Sequence, residues 1–286
     1  MIPLSDGNSE YPVALVKHSG RIGESIQRGF SLIGGLDGLQ SPVLIKPNIC
    51  TIKDGTGSSV TDVRLVEAIA GIIHEYDSSL SVRVVESDSQ SKFAKDAFQR
   101  FGYSDMVDRM QEEKHDIDLI DLSGQPLVTV KLDGEYFKDL EIHEVLTKPH
   151  SLISVAVAKT HYLTFLTGAL KNLFGLLPRK DQASYHSHID SVIADLARYV
   201  NTDLSIIDAR TAVEGWNGPG TKKVGAFVMG KKPVSVDAVL TRLLGFKPEL
   251  VSHLIKLASE DLGDVNPEMV GEQLESLRVK LKSPKL

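Results

Sequence analysis

The sequence predicts an α/β fold, with a mostly parallel, doubly wound sheet and a small β-rich insertion. Three observations lead there. Five short segments rich in β-branched residues recur along the chain. Longer stretches of helical periodicity separate them, which is the pattern of βαβ units rather than of hairpins. The interval from about 104 to 145 breaks that rhythm, with alternation in Leu127–Val128–Thr129–Val130 and a turn signal at Asp133–Gly134.

In chain order the strands fall at Val43–Lys46, Val82–Glu86, Leu152–Ala158, Leu204–Asp208 and Gly225–Met229. After the first, Asp62 caps a helix whose apolar positions Val63, Val66, Ile69, Ala70 and Ile73 share one face. After the third, Thr164 to Phe174 reads as helical, followed by a polar loop and a further helix from about Asp190 to Tyr199. The glycine-rich run from Glu214 to Gly220 reads as a loop after the fourth strand. Val236, Val239, Leu240 and Leu243 mark the apolar face of a last amphipathic helix. Lys280 to Leu286, containing Pro284, reads as a frayed tail. These elements place one α/β domain at 12–246, with its insertion at about 104–145, and a C-terminal helical extension and tail at 247–286.

Composition narrows the function classes. With 286 residues, 42% hydrophobic and 24% charged, the chain has the balance of a globular protein with a sizeable core. A net charge of −6 argues against nucleic acid or an anionic membrane as partner, since both attract basic surfaces. Cys50 is the single cysteine, so neither an internal disulfide nor a cysteine-ligated iron–sulfur cluster is available from this chain, and a reducing, cytoplasmic setting is expected. The first eleven residues lack the cationic start and apolar run of a secretory signal. No apolar stretch approaches the roughly 20 residues that a membrane-spanning helix requires.

In open parallel sheets, ligands bind beyond the carboxyl ends of the strands. Lys46–Pro47–Asn48, Glu86–Ser87–Asp88, Lys159–Thr160–His161 and Asp208 all fall there. The densest cluster continues through Thr167–Gly168–Ala169–Leu170–Lys171–Asn172 to Arg179, Lys180 and His186. Lys159, His161, Lys171 and His186 are the catalytic candidates. Desolvation lowers a lysine's pKa and makes it a usable base, and histidine exchanges protons near neutrality. Lys46, Asn48, Glu86, Asp88, Thr167, Gly168, Asn172, Lys180, Asp208 and Glu214 are the ligand-binding candidates. His161, His186 and His188 are candidate metal ligands, the last two forming a His-x-His pair. Plainer roles compete: solvated lysines, helix-capping carboxylates and a structural imidazole. The loop Gly55–Thr56–Gly57–Ser58–Ser59 offers backbone donors to an anion but fits neither the dinucleotide nor the P-loop pattern. Cys50 becomes a nucleophile only if a base approaches it, and no local cue selects that over burial.

At these residues the chain resembles the domain-of-unknown-function family numbered 362. The resemblance rests on Leu44–Ile45–Lys46–Pro47–Asn48, on Val157–Ala158–Lys159–Thr160–His161 and on Thr167 through Gly175. His186, Ile207–Asp208, Glu214–Gly215 and Val236–Asp237–Ala238 complete it. It spans roughly residues 40 to 246. It implies a shared site rather than a named reaction. Some members of that family carry an added cysteine-rich, ferredoxin-like segment, which implies redox work with a partner, and this chain departs from them in holding one cysteine. A looser similarity of fold runs to the nickel-dependent lactate racemase N-terminal family, in which lysine and histidine act at a 2-hydroxy acid. The expectation is an enzyme whose lysine- and histidine-rich cleft acts by proton transfer on a small anionic metabolite, a carboxylate or phosphate. A divalent metal and a flavin both remain open as cofactors. The competing expectations are an electron-transfer protein with a flavin-like cofactor and a non-catalytic binder of an anionic ligand.

Overall fold

A computed structural model of the chain describes residues 11–54, 57–178 and 181–284. Its strands are β1 (Val13–Lys17), β2 (Val43–Pro47), β3 (Val82–Glu86), β4 (Ile117–Asp121), β5 (Leu127–Lys131), β6 (Asp139–His143), β7 (Ser151–His161), β8 (Phe165–Thr167), β9 (Leu204–Glu214), β10 (Gly220–Gly230) and β11 (Met269–Gly271). Among the described residues, nine of them form one sheet in the order β11-β1-β10-β9-β7-β2-β3-β4, with β8 folded back onto β7. The run β9-β7-β2-β3-β4 is parallel throughout. β10 pairs antiparallel with both β9 and β1. The chain proceeds outward from β2 through β3 to β4, then returns to the other side of β2 for β7 and β9. The order therefore reverses at the β2/β7 boundary, the place where such sheets leave a crevice for a ligand.

The strands are apolar on both faces because helices cover both. Helices α1 (Ile22–Leu32), α2 (Val63–Tyr76), α3 (Ala94–Arg100) and α4 (Tyr103–Glu112) lie on one face. There Ile26, Phe30, Val66, Ile69, Ile73, Phe98 and Met106 meet Val43, Ile45, Val84, Ile153 and Ile206. Helices α5 (Ala169–Asn172), α6 (Ile189–Tyr199), α7 (Pro233–Leu243) and α8 (Ser252–Ala258) cover the other face, against Leu44, Leu152, Ala156, Ile207 and Val228. The alternation is strict: Leu44 faces one layer while Val43 and Ile45 face the other.

Several expectations are redrawn. In the interval 104–145, α4 and β4 belong to the main layers, β4 as an edge strand paired with β3. The small separate sheet is the β5–β6 hairpin alone. Asp195 of α6 holds its turn by accepting from the backbone N–H groups of Glu135, Tyr136 and Phe137. The segment 164–174 is not one helix. Phe165, Leu166 and Thr167 pair antiparallel with β7, and a short α5 follows. These residues are buried on all sides, so their apolar spacing reflects enclosure rather than one helical face. The stretch after 246 is tied to the domain. β11 pairs with β1, Val279 and Leu281 donate N–H bonds to Leu243 and Leu244, and Leu281 is buried. Among the described residues no helix is long and apolar enough to cross a membrane.

One contact fixes where α5 sits. The Asp237 carboxylate of α7 accepts from Ala169 N at 2.7 Å and Leu170 N at 3.0 Å. Gly168 permits this, because a Cβ there would meet Asp237 Oδ1 at 2.1 Å. Burial raises the carboxyl to about 6, against the pull of those two N–H donors. Asp237→Asn turns one acceptor into a donor that faces a buried N–H. It should cost about 2 kcal/mol, seen as a lower urea midpoint at unchanged slope. An unchanged midpoint would show that this carboxylate does not anchor α5.

Candidate functional site

At the β2/β7 boundary lies an open-sided cavity of about 240 Å³. β2 contributes Lys46, with Asn48, Ile49 and Cys50 just beyond it. β3 contributes Glu86, followed by Ser87 and a loop to Lys92. β7 ends in His161, and α5 supplies Lys171 and Asn172. Phe174, Gly175, Gln182, His186 and Trp216 close the remaining walls.

Its floor is an ion triplet. The Lys46 ammonium donates to Glu86 Oε2 at 2.8 Å, and Lys92 Nζ lies 3.3 Å from Glu86 Oε1. All three side chains are almost wholly buried. Further acceptors complete the lysines: Pro47 O for Lys46 and Ser87 O for Lys92. Gly175 lets the backbone lie against this floor, since a Cβ there would sit 3.0 Å from Lys46 Nζ. Burial lowers the Lys46 pKa, and the Lys92 charge adds to that, while Glu86 opposes both. One carboxylate thus serves two ammonium groups, leaving a net positive floor.

An amide pair links the strands above it. Asn172 donates to Lys46 O at 2.9 Å and to Ser154 Oγ at 3.1 Å, and it accepts from Asn48 Nδ2 at 3.2 Å. Asn48 Oδ1 is buried without a hydrogen-bond partner. Thr61 fixes the Asn48 backbone by accepting its N–H and donating to Val155 O.

Two more lysines lie nearby, Lys171 on the cavity lining and Lys159 behind Cys50. Lys159, 1% exposed, donates to Ser59 O at 2.8 Å and reaches Cys50 Sγ at 3.4 Å. The pairing of β7 with β9 is irregular between Val157 and Lys159, which re-aims the strand at this point. Lys171 lies with its ammonium 4.0 Å from the centre of the Phe174 ring. It opens to the cavity but is otherwise enclosed by protein. Burial first, and then the charge of Lys159, lowers it to about 7. His161 is pushed far below its ordinary value by burial and by the Lys171 and Lys159 charges, so its ring is neutral. Its Nδ1 accepts from Leu163 N, which assigns the ring proton to Nε2. His186 is lowered by burial and then by Lys171.

The structure therefore gathers Lys46, Asn48, Glu86, His161, Lys171, Asn172 and His186 around one cavity, with Lys159 directly behind Cys50. It places the other candidates elsewhere. Asp88 accepts from Ala94 N at the start of α3. Thr167 is buried opposite Lys159 on β8, and Gly168 packs on Asp237. Glu214 accepts from Lys282 N at the far end of β9. Asp208 lies on the α1–α4 side in a forked pair with Arg210, which also binds Asp62. That network lines a separate cavity of about 460 Å³. His188 is exposed and tilts against Tyr136, away from His186 and His161. Lys180 and Arg179, like Gly55 and Thr56, lie outside the described residues. Among the described residues no three His, Cys, Asp or Glu side chains converge as a metal-binding set. Glu86, the acidic residue of the lining, already serves two lysines, and Cys50, His161 and His186 do not converge with it as a ligand set. Sequence reasoning missed Lys92, Trp216 and the approach of Lys159 to Cys50.

The family model described as a domain of unknown function, DUF362, matches residues 43–242. The chain belongs to that family. Every residue lining the cavity falls inside the DUF362 match. The thylakoid-associated protein sll1697 of Synechocystis sp. is 26% identical over an alignment of 249 residues that covers 82% of this chain and 73% of that protein. The lactate racemase apoprotein of Thermoanaerobacterium thermosaccharolyticum shares the fold over 83% of this chain, at 15% identity and a TM-score of 0.51. This DUF362 chain spans 59% of that racemase's length.

Glu86→Gln removes the charge that the two buried ammonium groups share. Breaking a buried pair from one side costs on the order of 3 kcal/mol, and that loss should appear in urea unfolding. Added sulfate should recover part of it by supplying a substitute anion. A loss under about 0.5 kcal/mol, the range of exposed pairs, would mean the triplet does not form.

Proposed function

We propose that the protein is an enzyme acting by proton transfer on a small anionic metabolite, a carboxylate or phosphate, held in the cavity at the β2/β7 boundary. The observation that carries this reading is Lys171. Its ammonium, lowered to about 7, faces the cavity beside the lining lysines Lys46 and Lys92, with Glu86 the acidic group of the lining and Lys159 buried behind the wall. A group that titrates near the working pH can both take and return a proton. Lys46 and Lys92, sharing one carboxylate, give the floor the net positive charge that draws an anion. Fixed in place, the same cations stabilise negative charge that develops as a proton leaves carbon or oxygen. Asn172 bridges β2 and β7 and keeps the floor rigid, while neutral His161 offers an Nε2–H donor instead of a second positive charge. His186, lowered by the same Lys171 charge, stands at the rim as a second neutral imidazole able to relay a proton. The racemase likeness in fold supports an α/β enzyme scaffold and nothing finer about the substrate.

The two uses of Lys171 have opposite pH dependence. Below about 7 it is an ammonium and adds attraction for an inert anion; above about 7 it is an amine and able to accept a proton. Calorimetric affinity for sulfate and succinate should therefore weaken as pH rises from 6 to 8. Incorporation of solvent deuterium into a panel of small carboxylates, followed by NMR, should speed up over the same interval. Lys171→Met should lower the anion affinity about tenfold at pH 6, the effect of one close charge, and abolish both pH trends. Undiminished affinity and exchange in that variant would overturn the reading.

A further inference from the structure

We propose that Cys50 is a nucleophilic site of this cavity, with the Lys159 ammonium beside its sulfur, and that it forms covalent adducts with small anionic electrophiles. This rests on the reading of the cavity as an anion site. Cys50 is half-buried and lines the cavity wall. Its sulfur is 3.4 Å from Lys159 Nζ. The remaining polar neighbours of Sγ are Ser59 O, Ser59 Oγ and Trp216 O, at 3.7, 3.8 and 3.7 Å.

The argument begins with the lysine. Lys159 is 1% exposed, and its hydrogen-bond acceptors are a carbonyl and this sulfur, with no carboxylate between them. A buried ammonium without a counter-charge is costly, and the sulfur beside it is where negative charge is best stabilised as the nucleophile attacks. A second observation points to a ligand beside the sulfur. Asn48, two residues earlier and lining the same cavity, is nine-tenths buried and its Oδ1 has no partner. The wall next to Cys50 thus carries an acceptor that calls for a ligand's hydroxyl or N–H, while the positive floor of Lys46 and Lys92 takes its negative charge.

In the covalent step, the thiol proton passes to solvent, the S–C bond forms at the electrophilic carbon, and that carbon's leaving group departs with the bonding pair. With iodoacetate the product is S-carboxymethyl Cys50 and iodide. The cavity's cations hold the carboxylate while the carbon meets sulfur.

The chain's one cysteine makes the readout unambiguous by intact-mass analysis. Rates of modification by iodoacetate and by neutral iodoacetamide are compared with those of glutathione in the same buffer. The iodoacetate-to-iodoacetamide ratio should exceed that of glutathione about tenfold, and succinate should slow the reaction. Lys159→Met should bring the ratio back towards glutathione's, while Lys159→Arg retains it. Should the first variant fail to fold, the ratio in the unaltered protein and its response to succinate still decide. Fast labelling by iodoacetamide with discrimination against iodoacetate overturns the anionic-electrophile assignment and the anion reading beneath it. Slow labelling by both reagents, in protein that binds succinate calorimetrically, overturns the role of Cys50 alone.

Discussion

Two ammonium groups sharing one carboxylate is an arrangement that water ordinarily dissolves. Here Lys46, Glu86 and Lys92 are enclosed almost completely, and much of the surrounding structure serves to make that enclosure tolerable. Desolvating three ions costs several kcal/mol each, so every donor and acceptor must be met. Pro47 O and Ser87 O each take a second proton from one lysine, and Ser87 N gives a third bond to Glu86. β2 and β3 are neighbours in the parallel sheet, so their ends deliver Lys46 and Glu86 side by side without help from loops. Net positive charge is the residue of this construction, and it gives the crevice its preference for anions.

The wall opposite is held from behind. Asp237 grips the first two N–H groups of α5, and Asn172 at the end of that short helix ties it to β2 and β7. A four-residue helix has little stability of its own. Its position is set by these four bonds, and Lys171 inherits that precision. A lysine on a mobile loop would remain solvated and fully basic; one fixed between an aromatic ring and another cation does not.

The β2 and β7 segments, and the lysines and histidines at their ends, were legible because hydrophobic runs followed abruptly by charge mark the carboxyl edge of a parallel sheet. That edge marks Lys46, Glu86 and His161, while Lys171 stands out through the run of cations that follows β7. Asp208 was grouped with them for the same reason. The strand's period of two then carried it past Ile206 on the α1–α4 side, beside Arg210, and no edge argument distinguishes the faces of a strand buried on both. Lys92 sits in a connecting loop with no periodic signal around it, although a lone lysine between a strand end and a helix start is a residue worth weighing. Cys50 and Lys159 are 109 positions apart in sequence, so only the pairing of β2 with β7 reveals their approach. β11, at three residues, is too short to announce itself, whereas β1 is as long as β2 and ends in Lys17, so the same edge rule would have marked it. The antiparallel return of β8 was hidden by its complete burial.

The sheet's two margins also shape how this molecule meets its neighbours. An outer strand with bare N–H and C=O groups is a template for intermolecular pairing unless something blunts it. On one margin β4 carries Asp118 and Asp121, and the Gln111 amide already occupies the Ile117 carbonyl. On the other, β11 is three residues long and ends at a glycine with φ +90°, where the extended backbone stops. A nine-stranded sheet bounded by a charged strand at one side and a truncated one at the other offers no long, flat ladder to a second copy. Resistance to fibrillar association is thereby written into the same topology that opens the crevice at its centre.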